Sequence, residues 1–202
     1  KEWALGKGLR ILEPEKPGEA ESEWLLKEEV SLVLVMAYGH LLPPALIHAV
    51  DNRIYNFHAS LLPAFRGASP VETALAMGEE TTGVSLMRIV SKMDAGPVVD
   101  QEQVKIVENE DGSSLREKLA HVCPFLLERN LEGLLVGNIE EKPQGDSSAT
   151  YCRLLKKEDG RLDFSMAAHL LARRIAAFRT WPGSFFEIDG DRIKVGSASI
   201  FE

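Results

Sequence analysis

Short strand-like runs alternate with helical segments along most of this chain, and that alternation restricts the possible folds more than any other feature. The runs at 30–35, 53–58, 82–90 and 98–107 predict strands. The first of them, the unbroken aliphatic run Val30–Val35, is typical of a strand covered on both faces, as in a parallel sheet. Because strands that alternate with helices build a layered sheet, the sequence predicts an α/β fold.

The segments between and after these strands carry apolar residues at helical spacing, or a proline where a helix begins. Helices are therefore predicted at 19–27, after Pro43-Pro44, at 70–77, at 115–136 and at 166–178. Gly112-Ser113 is expected to cap the long fourth helix, and Pro124 is expected to kink or divide it.

The chain changes character after Thr180, where a β-rich part is expected to begin. The runs 184–188 and 192–195 flank Asp189-Gly190, which is a hairpin signal. The 202 residues suffice for one large domain, or for one domain and part of a second.

The composition excludes some functions. Apolar residues make up 45% of the chain, but no apolar run is long enough to cross a membrane. The net charge of −8 argues against broad electrostatic capture of nucleic acid, although cationic residues outnumber carboxylates after residue 146, which leaves a local contact open. Cys123 and Cys152 match no metal spacing and are too few for a disulfide framework, so we expect two reduced thiols in a cytoplasmic protein.

Polar or glycine-rich segments follow three of the predicted strands, at 38–40, 56–58 and 91–96. Ligands of open α/β sheets gather beyond the carboxyl ends of strands. We therefore expect these three segments to meet at one edge of the sheet.

Asn56 and His58 form the most suggestive pair, because residues two apart on a strand lie on the same face. Two aligned donors of this kind stabilise an oxygen that gains negative charge during attack on a carbonyl group. Asp94 is the natural carboxylate to orient His58 and to favour its protonated form. The alternative is a strand-end Asn and His that hydrogen-bond to loop backbone. The sequence has neither a metal-binding motif nor a phosphate-binding glycine loop, so we expect no metal.

The order of these residues resembles a known family. Residues 56–67, NFHASLLPAFRG, resemble the Asn-x-His…Ser-Leu-Leu-Pro-x-x-Arg-Gly signature of the folate-dependent formyltransferases, and residues 82–84 and 93–98 match a later segment with its Asp-x-Gly. The resemblance extends over about residues 9–201. Four further segments resemble the branch of the family that acts on methionyl initiator tRNA: 37–43, 150–151, 156–164, and the junction formed by 174–178 with 181–184. The junction is shared with formyltransferases of sugar nucleotides.

The resemblance implies a Rossmann-like sheet without the family's first strand and its glycine-rich turn. It implies a catalytic domain at 1–164, a linker helix at 165–180, and at 181–202 the start of a C-terminal β-barrel that resembles an OB-fold. Most of that barrel, which would carry much of the basic tRNA surface, is expected to be missing.

The resemblance also implies a reaction, the transfer of a formyl group from 10-formyltetrahydrofolate to the α-amino group of methionyl initiator tRNA for translation initiation. The catalytic residues would be Asn56, His58 and Asp94. Folate would bind at Ser60, Leu61, Leu62 and Pro63, with its pterin near His40, Leu41, Val90 and Lys92. No metal, membrane or obligate protein partner is implied, and the location would be bacterial cytoplasm or an organellar matrix.

Three alternatives remain open at this point. One is a formyltransferase acting on an amino-sugar nucleotide, another is a formyltetrahydrofolate hydrolase, and the third is a non-catalytic protein that binds folate or RNA. Arg66 and Gly67 have no firm role in any of these readings.

Overall fold

A computed structural model describes residues 1–201, and a four-stranded sheet lies at its centre. The strands are β1 (Val33–Met36), β2 (Ile54–His58), β3 (Arg66–Gly67), β4 (Thr81–Arg88), β5 (Val98–Lys105), β6 (Tyr151–Cys152), β7 (Ser184–Ile188) and β8 (Asp191–Val195). The α-helices are α1 (Glu2–Gly6), α2 (Glu19–Lys27), α3 (Pro44–His48), α4 (Pro70–Met77), α5 (Gly112–Val136) and α6 (Ala168–Ala177). Two 3₁₀ turns lie at Asp146–Ser148 and Lys157–Gly160.

The central sheet has the strand order β1-β2-β4-β5. β1 and β2 are parallel, whereas β2–β4 and β4–β5 are antiparallel. Two short parallel strands, β3 and β6, pair outside this sheet. The predicted α/β class is confirmed, with a mixed sheet.

Helices cover both faces of the sheet, as the packing of the β2 side chains shows. Tyr55 and Phe57 belong to the main core, together with Leu115 and Leu126 on α5. Ile54 belongs to a second core with residues of α2 and α3. Because side chains alternate along a strand, Asn56 and His58 lie on the same face as Ile54, away from α5.

The prediction that the first strand is covered on both faces was wrong. Leu34 and Met36 on β1 are 38% and 55% exposed. β1 pairs only with β2 among the described strands, and α5 contacts β4 and β5 instead. The aliphatic run therefore has one face against α2 and α3 and one face open.

The cap of the long helix α5 lies one residue before the predicted cap. The Asp111 carboxylate accepts hydrogen bonds from the Ser113 and Ser114 amides at 2.9 and 3.0 Å, which is the usual N-cap arrangement. The helix then runs without interruption through Pro124 to Val136. Asp111, not Gly112-Ser113, is therefore the cap, and Pro124 does not divide the helix.

The predicted hairpin after Thr180 is confirmed, because β7 and β8 pair antiparallel around Asp189-Gly190. Both turn residues have positive φ, as a two-residue hairpin turn requires. The closed barrel expected beyond this hairpin stays a prediction. Within residues 1–201 no helix combines the length and the apolarity needed to span a membrane.

Candidate active site

The structure brings His58 and Asp94 together across 36 positions of sequence. His58 is the last residue of β2, and its Nδ1 lies 3.7 Å from Asp94 Oδ2. The side chains are 7% and 18% exposed, so the pair is shielded but reachable from one side. A separation of 3.7 Å is longer than a hydrogen bond and too short for a water to lie between the two atoms, so a third group can engage both of them only from the side.

The three polar segments do not meet in the way that was expected. β1 and β2 are parallel and end at the same edge of the sheet, but β4 is antiparallel to β2, so Arg88 at its carboxyl end lies opposite Tyr55 near the start of β2. The segment 89–97 then folds back and returns Asp94 to His58. Because β4 is antiparallel to β2, a loop that folds back, and not a strand end, brings Asp94 to the site.

The orientation of the His58 ring is set by loop backbone. His58 Nε2 lies 2.8 Å from the Phe65 carbonyl oxygen, which can only accept, so Nε2 carries a proton. The Cys152 thiol donates to the same oxygen at 3.3 Å, and burial raises the pKa of this thiol. Nδ1 is therefore the ring nitrogen that faces Asp94. The alternative of a histidine that hydrogen-bonds to loop backbone is met at one nitrogen, Nε2.

Gly67 holds the other side of Asp94. Its amide donates to Asp94 Oδ2 at 2.9 Å. Gly67 has φ +121°, and a Cβ at this position would lie 2.0 Å from the Cys152 carbonyl oxygen. Only glycine permits this backbone conformation and this close approach of β3 to β6. Gly67, which had no role in the sequence analysis, is therefore a structural support of the candidate site.

Arg66 is the largest of the fully buried side chains, at 1% exposure. Its guanidinium donates to Gln144 Oε1 at 3.0 Å and to Asp146 Oδ1 at 2.8 Å. The Lys92 ammonium lies 2.9 Å from Asp146 Oδ2. Hydrogen bonds from Arg66 and Lys92 hold the pKa of the Asp146 carboxyl below its usual range. Arg66 thus ties the segment 144–151 to the end of the signature.

A separate cleft of about 840 Å³ opens between the loop that follows β1, α3 and the end of β4. This volume lies within the usual range for small-molecule sites. Three of the predicted folate-binding residues, His40, Leu41 and Val90, line it, and the rings of Tyr38 and His40 meet edge to face at 5.6 Å. Among the described residues its lining includes Lys16 and Arg88 but no Asp or Glu, and the Arg88 guanidinium is paired with Glu141 at 2.9 Å.

The remaining predicted folate-binding residues lie elsewhere. Ser60 and Leu62 are buried within the turn that follows β2, and Leu61 and Pro63 are partly exposed on it. The Ser85 hydroxyl donates to the Ser60 carbonyl oxygen at 2.6 Å and fixes this turn. None of the four lines the cleft, and neither does Lys92, whose ammonium is paired with Asp146.

Several residues of the site were missed by the sequence analysis. Phe65 contributes only a carbonyl oxygen, and Gln144 is separated from Asp94 by 50 positions. No local pattern marks either residue. Within residues 1–201 no group of three or more His, Cys, Asp or Glu side chains is arranged to hold a metal ion.

Comparison with known families gives two matches. Residues 11–131 match the family described as formyl transferase, and residues 154–202 match the family described as formyl transferase, C-terminal domain. Together these matches extend over most of the chain and include Asn56, His58 and Asp94.

Curated relatives match along the whole chain. A methionyl-tRNA formyltransferase of Lachnospira eligens is 38% identical over 201 residues, which are 99% of this chain and 64% of the relative. A methionyl-tRNA formyltransferase of a Sulfurihydrogenibium species is 35% identical over 204 residues, which are 100% of this chain and 66% of the relative. The chain therefore spans about two thirds of the length of these relatives.

A solved structure has the same fold. An N-formyltransferase from Helicobacter canadensis, in complex with folinic acid and dTDP-3-aminofucose, superposes with a TM-score of 0.75 at 18% identity. The match covers 96% of this chain and 69% of that one.

Proposed function

This chain belongs to the formyl transferase family, and from that membership we propose that it transfers a formyl group from 10-formyltetrahydrofolate to the α-amino group of methionyl initiator tRNA. Such a reaction serves translation initiation, so we place the protein where translation takes place, in a bacterial cytoplasm or an organellar matrix. The proposal includes neither a metal nor an obligate protein partner.

The observation that carries the proposal is the approach of Asp94 to His58 Nδ1 beside Asn56, on the sheet of a formyl transferase. Formyl transfer to an amine needs donors for an oxyanion and a path for one proton, and these three residue types supply both. The named relatives, at 35–38% identity, favour methionyl-tRNA as the acceptor.

In the proposed mechanism the amine attacks the formyl carbon, and the carbonyl oxygen becomes an oxyanion. The Asn56 amide and His58 Nδ1–H donate to this oxygen. The bond from the formyl carbon to N10 of the folate then breaks, the attacking nitrogen loses a proton, and N10 gains one. Asp94, which Gly67 holds in place, lies close enough to the His58 ring to stabilise its positive charge, and it takes the proton from the attacking nitrogen and delivers it to N10.

We place the pterin of the folate in the cleft lined by His40, Leu41 and Val90. The apolar part of the lining suits the flat pterin ring, and Lys16 on the cleft wall suits the carboxylates at the other end of the co-substrate. Folinic acid in the Helicobacter canadensis protein supports a folate site on this fold. The Ser60 and Leu62 side chains are buried, so the turn 60–63 contributes to the folate site through the path of its backbone.

The acceptor has one competing candidate. The same solved structure holds dTDP-3-aminofucose, so an amino-sugar nucleotide is the second candidate acceptor. Its identity to this chain is 18%, about half that of the two methionyl-tRNA formyltransferases. We therefore rank methionyl-tRNA first.

The test combines three variants with a matched histidine control. Asn56→Ala, His58→Ala and Asp94→Ala are each expected to lower kcat by about 10²–10³-fold, as losing one oxyanion donor typically does. His121→Ala, which removes an exposed histidine of α5, is expected to stay within about twofold. Turnover is measured as formyl-methionyl-tRNA formed, and the urea midpoint of each variant checks that it folds. Near-normal turnover of any of the three variants would overturn the role of that residue.

An assay with different acceptors distinguishes the proposed function from its alternatives. The protein is offered 10-formyltetrahydrofolate with methionyl initiator tRNA, with an amino-sugar nucleotide, and without an amine. Transfer to tRNA alone supports the proposal, and transfer to the sugar nucleotide alone replaces it. Release of formate without any amine indicates a hydrolase. Folate binding without any transfer or release indicates a non-catalytic protein.

A further inference from the structure

We propose that Gln144 is a positioning residue for this reaction, because its side chain fastens the loop that carries Asp94 and because Arg66 dictates the orientation of its amide. The inference rests on the proposed function, and in particular on the role of Asp94.

Gln144 bridges the backbone of the Asp94 loop. Its Nε2 donates to the carbonyl oxygens of Asp94 at 2.9 Å and of Gly96 at 2.6 Å. Both donors of one side-chain amide are therefore spent on two carbonyls of the same turn. Gln144 lies between α5 and β6, two residues after Lys142, whose backbone pairs with Val98, so the position of its side chain must be set by other contacts.

Arg66 sets that position. Its Nε donates to Gln144 Oε1 at 3.0 Å, which requires the oxygen of the amide to face Arg66 and the nitrogen to face the loop. The guanidinium is almost fully buried, and a buried charge must keep its acceptors. The Arg66 amide in turn donates to the Thr150 carbonyl oxygen at 2.9 Å, which anchors β3 beside the segment that carries Gln144.

The Asp94 loop needs such a fastening. Asp94 has φ +47°, in the left-handed region that few residues other than glycine adopt, although Asp does so more often than most. Gly67 donates only to the Asp94 carboxylate. The Lys92 ammonium, which belongs to the same loop, pairs with Asp146, whose side chain is exposed. Gln144 is the side chain that holds the backbone on both sides of Ala95. A displacement of about 1 Å at a reacting group costs on the order of 100-fold in rate.

The experiment is a double-mutant cycle between Gln144 and Asp94. Gln144→Leu removes the three hydrogen bonds, and Gln144→Glu keeps the acceptor for Arg66 but removes the two donations. Both are expected to lower kcat by roughly 10–100-fold with KM for the folate and the tRNA unchanged within about threefold. Gln103→Leu makes the same chemical change at an exposed position of β5 and is expected to stay within about twofold.

The cycle then repeats Gln144→Leu in an Asp94→Asn background. If Gln144 acts through Asp94, the second substitution adds less than about threefold there, because the two residues act as a unit. A merely structural role would lower turnover by the same factor in both backgrounds.

The outcomes separate the two proposals. If Asp94→Asn keeps wild-type turnover, the role of Asp94 under the proposed function is wrong, and the inference about Gln144 falls with it. If Asp94→Asn is slow but Gln144→Leu acts equally in both backgrounds, or has no effect in the wild type, only the inference about Gln144 is overturned.

Discussion

Replacing Gly67 by alanine tests the contact between β3 and β6 that supports the candidate site. The new Cβ would lie 2.0 Å from the Cys152 carbonyl oxygen, which is a backbone atom and cannot swing away as a side chain can. The backbone at φ +121° would also be strained by any side chain. The substitution therefore forces the two strands apart or rotates the peptide of residue 67.

The expected loss of unfolding free energy follows from the groups that must move. A residue held in a disfavoured backbone region costs about 1–3 kcal/mol. Separating the strands breaks the bonds from the Arg66 amide to Thr150 and from the Ala68 amide to Cys152, each worth about 0.5–1.5 kcal/mol net. The total is about 2–6 kcal/mol of unfolding free energy. With a urea slope of about 2–3 kcal/mol per M, the midpoint falls by about 0.7–3 M.

Two other glycines separate the contributions in urea titrations of the purified protein. Gly137 has φ +71° but open space around its Cβ position, so Gly137→Ala reports backbone strain alone, about 1–2 kcal/mol. Gly196 has neither feature, and Gly196→Ala is expected to change stability by less than about 0.5 kcal/mol. If Gly67→Ala costs no more than Gly137→Ala, the close approach of residue 67 to Cys152 is wrong.

Two further predictions concern the core. Burial, the Glu141 charge and a hydrogen bond to Glu141 raise the pKa of Tyr55 from 10.0 to about 12, so its contribution to stability is complete below pH 10 and is lost as the pH rises from 10 to 12. Allowing for partial hydration, wild type should lose about 1–2 kcal/mol more than Tyr55→Phe over that range in urea titrations, and equal losses would contradict the prediction. Leu126 is fully buried on α5, so Leu126→Ala should cost about 2–5 kcal/mol, whereas Leu131→Ala on the same helix, at 37% exposure, should cost less than about 1 kcal/mol; similar losses would contradict the packing of α5 on the sheet.

Much of the local structure is readable from the chain alone, because it depends on neighbours in sequence. Alternation along residues 54–58 places Asn56 and His58 on one face, and Asp189-Gly190 predicts the hairpin that β7 and β8 form. Proline at position 70 and glycine at position 78 mark the two ends of α4. The family resemblance likewise depends on short segments in order, and the match to the formyl transferase family confirms it.

The exposure of β1 could not be predicted from the sequence in this way, because burial depends on what packs against a strand. The same aliphatic run would suit the middle of the sheet, but β1 has only one partner strand among the described residues, and α5 lies over β4 and β5. A run of apolar residues shows that a strand can be buried on both faces, but it does not show which elements pack against it.

The sequence by itself determined the class of fold, the shared face of Asn56 and His58, and the family. Only the tertiary structure decided that β4 runs antiparallel, that segment 89–97 returns Asp94 to His58, and that Gln144 and Gly67 hold that loop. The physical reason is distance along the chain. Periodicity and turn chemistry act over a few residues, whereas these contacts join groups 27–50 positions apart and exist only after the sheet has formed.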